Sequence, residues 1–346
     1  MDRRRTRGSM SGRRGLLLAW LACSAAGCAG IQSATDARGP QAAEIAWLWW
    51  LFLGVSVVVW IAVVVGAGLA LFRRNRIVYE GHDEIDEPGK TRVIVILTAI
   101  SGVILFVLLV ASVHVGTVTT RRPTPEQRPI TIEAIGRQWW WDFRYENEPA
   151  SRSFRTANEI RIPVGRPVII KATSFDVIHS FWVPNLHGKI DMVPGRTNVI
   201  WFQADEPGVY RGQCAEFCGL QHAKMAFMVV AEPEEQYNAW VEAYTRPADH
   251  RPMGEARSPG EQVFLEAQCS LCHTVRGTGA WGQVGPDLTR IGSRRTLAAG
   301  TMPNTRGHMG GWILDPQHIK PGNFMPPTPL DPERLQALLD YLESLK

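Results

Sequence analysis

Two long runs without a charged residue constrain the fold of this chain more than any other feature. The first run covers residues 45–72 and the second begins at residue 93. Each is longer than the ~20 apolar residues that an α-helix needs to cross the hydrocarbon core of a bilayer, where backbone polar groups have to be satisfied within the helix. The sequence therefore predicts two transmembrane helices, at residues 45–72 and 93–117, and hence a membrane-anchored protein.

The residues at the ends of the first apolar run indicate how the two helices are oriented. Three tryptophans lie at its start, as aromatic residues do at a membrane interface, and three arginines follow its end. Because positively charged loops stay preferentially in the cytoplasm, the loop of residues 73–92 is predicted to be cytoplasmic. The N-terminal segment 28–44 and the chain after residue 117 are then expected on the outer side of the membrane.

Residues 1–27 are predicted to be an export signal, because an arginine-rich start precedes an apolar stretch too short to span a bilayer. The sequence Ala-Ala-Gly-Cys that ends at Cys28 resembles a bacterial lipoprotein cleavage box, which predicts a lipidated Cys28. Cys23 is the competing position, and a plain signal peptide is the alternative to both. The net charge of +4 derives largely from this arginine cluster, so the charge pattern does not indicate nucleic-acid binding.

Short segments of alternating hydrophobicity follow Pro123. Gly and Pro separate these segments, a pattern that is typical of antiparallel β-strands in a sandwich or barrel. The sequence therefore predicts an all-β domain over residues 118–245, closed by a short helix at residues 235–244. Residues 246–257 are polar, contain two prolines and are predicted to be a linker.

Residues 258–346 are predicted to form a small helical domain. A capping box from Ser258 to Glu261 predicts the start of its first helix, and the pair Asp331-Pro332 predicts the start of its last. Four leucines of the last helix share one face by their three- and four-residue spacing, as expected for a helix that packs on a core.

A covalently bound haem is predicted in this helical domain. Cys269 and Cys272 have the spacing at which two thiols add to the vinyl groups of haem, and His273 next to them can ligate the iron. The other axial ligand is expected to be a methionine thioether, and Met325 in Asn-Phe-Met-Pro-Pro is the prediction. The alternatives are Met302 and Met309.

A copper site is predicted in the segment from Gly212 to Met225. Its thiols, imidazole and thioether together suit copper. A single-copper site of the cupredoxin type has two histidines, one cysteine and a weak methionine, so one cysteine is left over unless two copper ions share both sulfurs. The donors in the segment are Cys214, Cys218, His222 and Met225. A second imidazole is expected from upstream, from His179 at the end of a predicted strand, with His187 as the less favoured alternative.

The motifs His-Ser-Phe-Trp-Val-Pro at 179–184, Lys-Ile-Asp-Met-Val-Pro-Gly-Arg at 189–196 and Cys-Ala-Glu-Phe-Cys-Gly-Leu-Gln-His-Ala-Lys-Met at 214–225 resemble the dinuclear copper (CuA) domain of subunit II of haem–copper cytochrome c oxidases. Residues 258–346 resemble a class I cytochrome c, and the fused arrangement resembles that of caa-type oxidases. The resemblance implies a transmembrane hairpin, a cupredoxin-like sandwich and an all-α cytochrome c domain. It also implies a bacterial cytoplasmic membrane, with both metal domains on its periplasmic side.

The resemblance further implies a role for each residue of the copper site. Two cysteines would bridge two copper ions, two histidines would be terminal ligands, and a methionine and a backbone carbonyl would each bind one copper. By motif these residues are Cys214, Cys218, His179, His222, Met225 and Glu216, the last through its carbonyl oxygen. The Glu216 side chain would reach a magnesium ion shared with subunit I. Trp139 would accept electrons, while Trp140 and Trp141 are expected to pack the sandwich.

The expected function is electron input to a terminal oxidase. A cytochrome c would reduce the haem c, the haem would reduce the copper pair, and a separate catalytic subunit would reduce dioxygen to water. Subunit I and subunit III are the implied partners. The alternatives are the same role in a nitric oxide reductase and a copper chaperone or thiol reductase. One departure concerns the glutamate that family members carry at the cytoplasmic start of the second helix, where this chain has an apolar residue. Glu84, Glu87 or another acid of the loop could substitute for it, and the alternative is that these acids are solvated loop charges.

Overall fold

The computed structural model describes residues 29–74, 88–146, 150–245 and 257–346. The predicted signal peptide, the predicted lipidation site Cys28 and the substitute acids Glu84 and Glu87 lie outside the described residues. The described residues divide into two compact units: those between residues 43 and 122 form one, and residues 29–42 together with those after residue 122 form the other.

The first unit consists of two long apolar helices, as the sequence predicted. Helix α1 extends over Pro40–Arg74 and helix α2 over Pro88–Thr120. Both are long and apolar enough to cross a membrane. They begin before and end after the predicted bounds, because the helical backbone continues beyond the apolar run from which those bounds were taken.

The second unit contains a ten-stranded β-sandwich, here called the sandwich domain, residues 123–245. Its strands are β1 Ile130–Arg137, β2 Trp140–Glu146, β3 Phe154–Ala157, β4 Glu159–Pro163, β5 Val168–Ser174, β6 His179–Trp182, β7 Ile190–Met192, β8 Asn198–Phe202, β9 Gly208–Cys214 and β10 Ala226–Glu232. One sheet has the order β3-β2-β1-β5-β8 and the other β4-β10-β9-β6-β7. Helix α3, Glu234–Thr245, closes the domain as predicted.

The predicted antiparallel pairing is wrong at two strand pairs. Strand β1 pairs in parallel with β5, and β10 pairs in parallel with β4. The chain changes sheets between β3 and β4, so that strands distant in sequence become neighbours. Alternation of apolar and polar residues reports which face of a strand is buried, and it carries no information about the direction of the neighbouring strand.

Aromatic side chains fill the space between the two sheets. Trp141 and Phe181 are fully buried, and each ring lies within 5 Å of the ring of Phe227, at 4.9 and 4.8 Å between centroids. Trp141 therefore packs the sandwich as predicted. Trp140 does not belong to this core: it is half-buried and lies against the guanidinium of Arg137.

A segment of residues 29–39, for which the sequence predicted no structure, lies against the sandwich domain. The Asn185 side-chain amide donates hydrogen bonds to the carbonyls of Gly30 and Asp36, both at 2.9 Å. The backbone amide of Arg211 donates to the carbonyl of Ile31 at 2.6 Å. Through these contacts residues 29–39 also belong to the sandwich domain, although they precede its predicted start at residue 118.

The C-terminal domain, residues 257–346, is mainly helical. Its helices are α4 Pro259–Glu266, α5 Cys269–Cys272, α6 Arg306–Leu314, α7 Pro316–Ile319 and α8 Pro332–Ser344, and two short ladders join β11 Thr274–Val275 to β12 Ala280–Trp281 and β13 Thr296–Leu297 to β14 Met302–Pro303. The Ser258 side chain accepts a hydrogen bond from the Glu261 amide, as the predicted cap requires. Helix α4 packs so closely on α8 that a Cβ atom on Gly260 would lie only 2.0 Å from the Ala337 carbonyl oxygen.

Candidate copper and haem sites

Strand pairing brings the predicted copper donors to one end of the sandwich domain. Strand β6 begins at His179, and β9, which pairs with β6, ends at Cys214. The loop after Cys214 carries Cys218 and a short 3₁₀ turn that starts at His222, and Met225 precedes strand β10. Residues that are distant in sequence therefore converge on one point.

The donor atoms form a compact cluster centred on the two thiols. The Sγ atoms of Cys214 and Cys218 are 3.7 Å apart, which is well beyond the ~2.05 Å of a disulfide bond. Cys214 Sγ is 3.8 Å from the Nδ1 atom of His179, and Cys218 Sγ is 3.7 Å from Nδ1 of His222. The Sδ atom of Met225 is 3.8 Å from Cys218 Sγ. Each thiol thus has its own imidazole neighbour, as a site for two metal ions requires.

The backbone carbonyl of Glu216 completes this cluster, and its oxygen lies 3.1 Å from Cys214 Sγ. The Glu216 carboxylate points elsewhere and lies 3.4 Å from the ammonium of Lys189, which also pairs with Asp191 at 2.9 Å. The alternative ligand His187 is not in the cluster: its Nδ1 atom accepts a hydrogen bond from the Gly188 amide at 2.5 Å.

A half-buried carboxylate orients the first histidine. The Nε2 atom of His179 donates to Asp176 Oδ1 at 2.8 Å, which leaves Nδ1 facing the thiols. Although desolvation opposes it, the hydrogen bonds to Asp176 and Cys214 raise the pKa of His179. Asp176 also accepts a hydrogen bond from the Gln138 backbone amide at 2.7 Å, so its position is determined from two sides.

The two thiols share one proton. The hydrogen bond from Cys218, opposed by desolvation and reinforced by His179, lowers the pKa of Cys214 to about 3. The same hydrogen bond and burial raise the pKa of Cys218. The pair therefore carries one negative charge near neutral pH, and a metal that needs both sulfurs as thiolates has to displace the remaining proton.

A cavity of about 670 Å³, lined mainly by the C-terminal domain, is large enough for a bulky cofactor. Among its lining residues are Cys269, Cys272, His273 and Met325. The His273 Nδ1–H donates to the Pro286 carbonyl at 2.7 Å, which leaves Nε2 free for a metal. Burial lowers the pKa of His273, so the imidazole is kept neutral. This volume and this donor set fit a covalently attached haem.

The three candidate methionines differ in whether they line the cavity. Met302 is buried in the core of the C-terminal domain, while Met309 and Met325 line the cavity. The Met325 backbone is held on both sides: its amide donates to Asn323 Oδ1 at 2.8 Å, and its carbonyl accepts from Gln317 Nε2 at 2.9 Å. Met325 as the axial ligand stays a prediction that this placement supports.

The haem cavity opens onto the sandwich domain, which sequence reasoning did not predict. Gln138, Trp139 and Asp176 line it together with the residues of the C-terminal domain. Trp139 is only 7% exposed, and its ring stacks on that of Phe324 with 5.7 Å between centroids. On its other side, the Trp139 Nε1–H donates to the Cys218 carbonyl at 2.9 Å. Trp139 therefore contacts both the cavity and the loop after Cys214, which carries the predicted copper donors.

Comparisons with known proteins agree with this division into domains. A family model described as the periplasmic domain of cytochrome c oxidase subunit II matches residues 147–232, and a model described as cytochrome c matches residues 258–346. The two domains thus define a copper- and haem-binding subunit of a respiratory oxidase.

Relatives match nearly the whole chain. Cytochrome c oxidase subunit 2 of Alkalihalophilus pseudofirmus is 40% identical over 347 residues, which cover 96% of this chain and 97% of that protein. The subunit 2 of Bacillus subtilis is 27% identical over 297 residues and covers 80% of each chain. A crystal structure of the periplasmic domain of subunit II from Bradyrhizobium japonicum shares 33% identity, with a TM-score of 0.32, and covers 34% of this chain and 94% of that one.

The chain belongs to the cytochrome c oxidase subunit II family and carries a C-terminal cytochrome c domain. The resemblance found in the sequence is confirmed. The protein is a membrane-anchored subunit of cytochrome c oxidase, an oxidoreductase, and subunit I is its implied partner. The two family models imply copper and haem c as its cofactors.

Proposed function

We propose that this subunit relays electrons from its own haem c, through Trp139, to a dinuclear CuA centre and from there to subunit I, where dioxygen is reduced to water. The observation that carries the proposal is the position of Trp139. Its ring stacks on Phe324 beside the haem cavity, and its N–H binds the carbonyl of the copper ligand Cys218.

The copper centre would be held by Cys214 and Cys218 as shared thiolates, by His179 and His222 as terminal ligands, and by Met225 and the Glu216 carbonyl. Bound copper supplies one-electron redox chemistry at this site. Residues of the chain exclude water from it: His179 and Met225 are fully buried, and both thiols are buried. The hydrogen bond from His179 to Asp176 fixes the ring, so that the donors need little rearrangement when the charge of the site changes.

The haem would be attached to Cys269 and Cys272, and His273 and Met325 would be the ligands of its iron. Gly285 leaves room for the His273 ring, because a Cβ atom at this position would lie 2.6 Å from its Cε1 atom. The Pro286 carbonyl then holds the ring through Nδ1. The chain itself thereby orients the ligand before the haem is attached.

Several further assignments belong to this proposal. We place the subunit in a bacterial cytoplasmic membrane as a two-span protein with both metal domains on the periplasmic side. A cytochrome c, or another c-type haem protein, would be the electron donor, and subunit III a further partner. The Glu216 carboxylate would bind magnesium at the contact with subunit I, and Cys28 would be lipidated.

Electron paramagnetic resonance of the copper-loaded protein tests the dinuclear centre. A seven-line hyperfine pattern is expected, because one unpaired electron would be shared by two equivalent copper nuclei. A four-line spectrum would refute the shared pair. Consumption of nitric oxide in place of dioxygen by the purified complex would favour the alternative reductase.

Replacing Trp139 with Phe tests the relay. The variant keeps an aromatic ring and loses the hydrogen bond that joins the indole to the Cys218 carbonyl, so transfer from haem to copper should slow while copper is retained. Flash reduction of the haem followed by copper absorbance measures this step directly. Trp201→Phe, on strand β8 of the same domain, is the matched control. An unchanged rate in Trp139→Phe, with copper retained, would remove the role.

A further inference from the structure

One lysine is buried where the C-terminal domain meets the sandwich domain. Lys320 directly follows helix α7 and is only 3% exposed. Its Nζ atom donates to three backbone carbonyls: Trp139 at 2.9 Å, Lys224 at 2.8 Å and Ala298 at 3.2 Å. Two of these acceptors belong to the sandwich domain and the third to the C-terminal domain.

We propose that Lys320 is a positioning residue, which holds the C-terminal domain on the sandwich domain in the orientation that stacks Phe324 on Trp139. The inference rests on the proposed electron relay and deepens it. The relay needs a fixed path between two domains, and Lys320 binds the backbone of the proposed electron-accepting residue itself.

The chemistry of the site argues for a specific role. Lysine is almost never fully buried without an ionic partner, because taking its ammonium out of water is costly. Here all three acceptors are neutral carbonyls. Desolvation, assisted by the nearby charge of Lys224, lowers the pKa of Lys320 to about 7. Both the ammonium and the neutral amine carry N–H donors, so the side chain binds carbonyls in either state.

The loop that faces Lys320 is itself shaped for this contact. Ala298 and Ala299 have φ angles of 50° and 59°, in the left-handed region that L-residues other than Gly, Asn and Asp rarely adopt. Such a conformation persists where its surroundings determine it. The Ala298 carbonyl accepts from Lys320, and the Ala299 carbonyl accepts from the amide of Ala226 in the sandwich domain at 2.9 Å. Both left-handed alanines are thus held at the domain contact.

Further hydrogen bonds near Lys320 also join the C-terminal domain to the sandwich domain. The Gln221 side-chain amide donates to the Pro321 carbonyl at 2.6 Å, and the Arg295 amide donates to Glu159 Oε2 at 2.9 Å. Each of these bonds joins one atom of each domain. Lys320 differs because its single nitrogen joins three chain segments, including the one that carries Trp139.

Lys320→Met in the intact oxidase tests the inference. Methionine keeps the length and apolar stem of the side chain and removes all N–H donors. Misplacement of reacting groups by 1 Å can cost roughly 10²-fold, so we expect haem-to-copper transfer to slow by at least about tenfold. Transfer should also become dependent on solvent viscosity, because the domains then have to dock before each event. The optical spectrum of the haem and the paramagnetic spectrum of the copper should be unchanged.

Two further variants make the outcome decisive. Lys171→Met removes an exposed lysine that pairs with Glu146 on the same sandwich domain and should transfer at the wild-type rate. Lys320→Arg keeps N–H donors and should transfer faster than Lys320→Met. Equal, viscosity-independent rates in wild type and Lys320→Met would overturn this inference alone. Absence of transfer in the wild type would overturn the proposed relay with it, and loss of either cofactor only in Lys320→Met would show a folding role instead.

Discussion

Copper loading of the reduced protein is expected to release protons in an amount that the thiol pair determines. The pKa of Cys214 is lowered to about 3 and that of Cys218 is raised, so one thiolate and one thiol are present throughout the range from about pH 6 to 9. Two bridging thiolates hold no proton. The pair therefore contributes one released proton, and two independent thiols of ordinary pKa would contribute nearly two at neutral pH.

His179 adds a pH-dependent part to this release. Its pKa is raised above 6.5, because the hydrogen bonds to Asp176 and Cys214 outweigh desolvation. A protonated His179 has to lose its proton to bind copper. The total number of protons released should therefore exceed one at the low end of the pH range. It should fall toward one as the pH rises through the pKa of His179. For each proton released on binding, the apparent affinity for copper rises tenfold, or by about 1.4 kcal/mol, when the pH is raised by one unit.

Anaerobic loading with equal amounts of Cu(I) and Cu(II), in weak buffer with a pH-indicator dye, measures the release. Cys218→Ser is the matched control, because it removes the thiol that holds the shared proton, and its release should fall to near zero at high pH. A release well below one proton at the high end of the pH range, as two independent thiols of ordinary pKa would give there, would refute the shared proton. So would a wild-type release equal to that of Cys218→Ser.

Two glycines provide further predictions. In Gly260→Ala the new Cβ would lie 2.0 Å from the Ala337 carbonyl oxygen, so the α4–α8 contact should lose about 1–3 kcal/mol in thermal unfolding, whereas Gly307→Ala, with nothing within 4 Å of its Cβ, should be neutral or stabilising. In Gly285→Ala the new Cβ would lie 2.6 Å from the His273 ring, so the optical spectrum should show a high-spin haem from a weakened histidine bond, while Gly279→Ala, in open space, should keep the wild-type spectrum. A stable Gly260→Ala or a normal spectrum in Gly285→Ala would contradict these packing arguments.

Features that depend on residue type and local spacing could be predicted from the sequence. Uncharged runs of sufficient length define membrane helices, and the CxxCH motif defines a haem attachment site, because each follows from a strict physical requirement within one segment. The cluster of His179 with the cysteine loop could be predicted only by counting ligands, since the strand pairing that joins them is not visible in the sequence.

Features that depend on contacts between distant segments could not be predicted. The parallel pairs β1–β5 and β4–β10 arise from the order in which the chain visits two sheets, and alternation is the same for either direction. The segment 29–39 is polar and lacks periodicity, and its place is determined by hydrogen bonds to Asn185 and Arg211. No local pattern distinguishes such a segment from a loop.

The contact between the sandwich domain and the C-terminal domain restricts access to Trp139, the proposed electron-accepting residue. Trp139 is 7% exposed because Phe324 and Lys320 of the C-terminal domain cover it. A separate donor protein that docks on the subunit in this arrangement meets the C-terminal domain before it can reach the indole. Electrons for the copper site would therefore have to come through the subunit's own haem. In the proposed relay, the fused cytochrome c domain would thus act both as the donor and as the cover that restricts access to the copper centre.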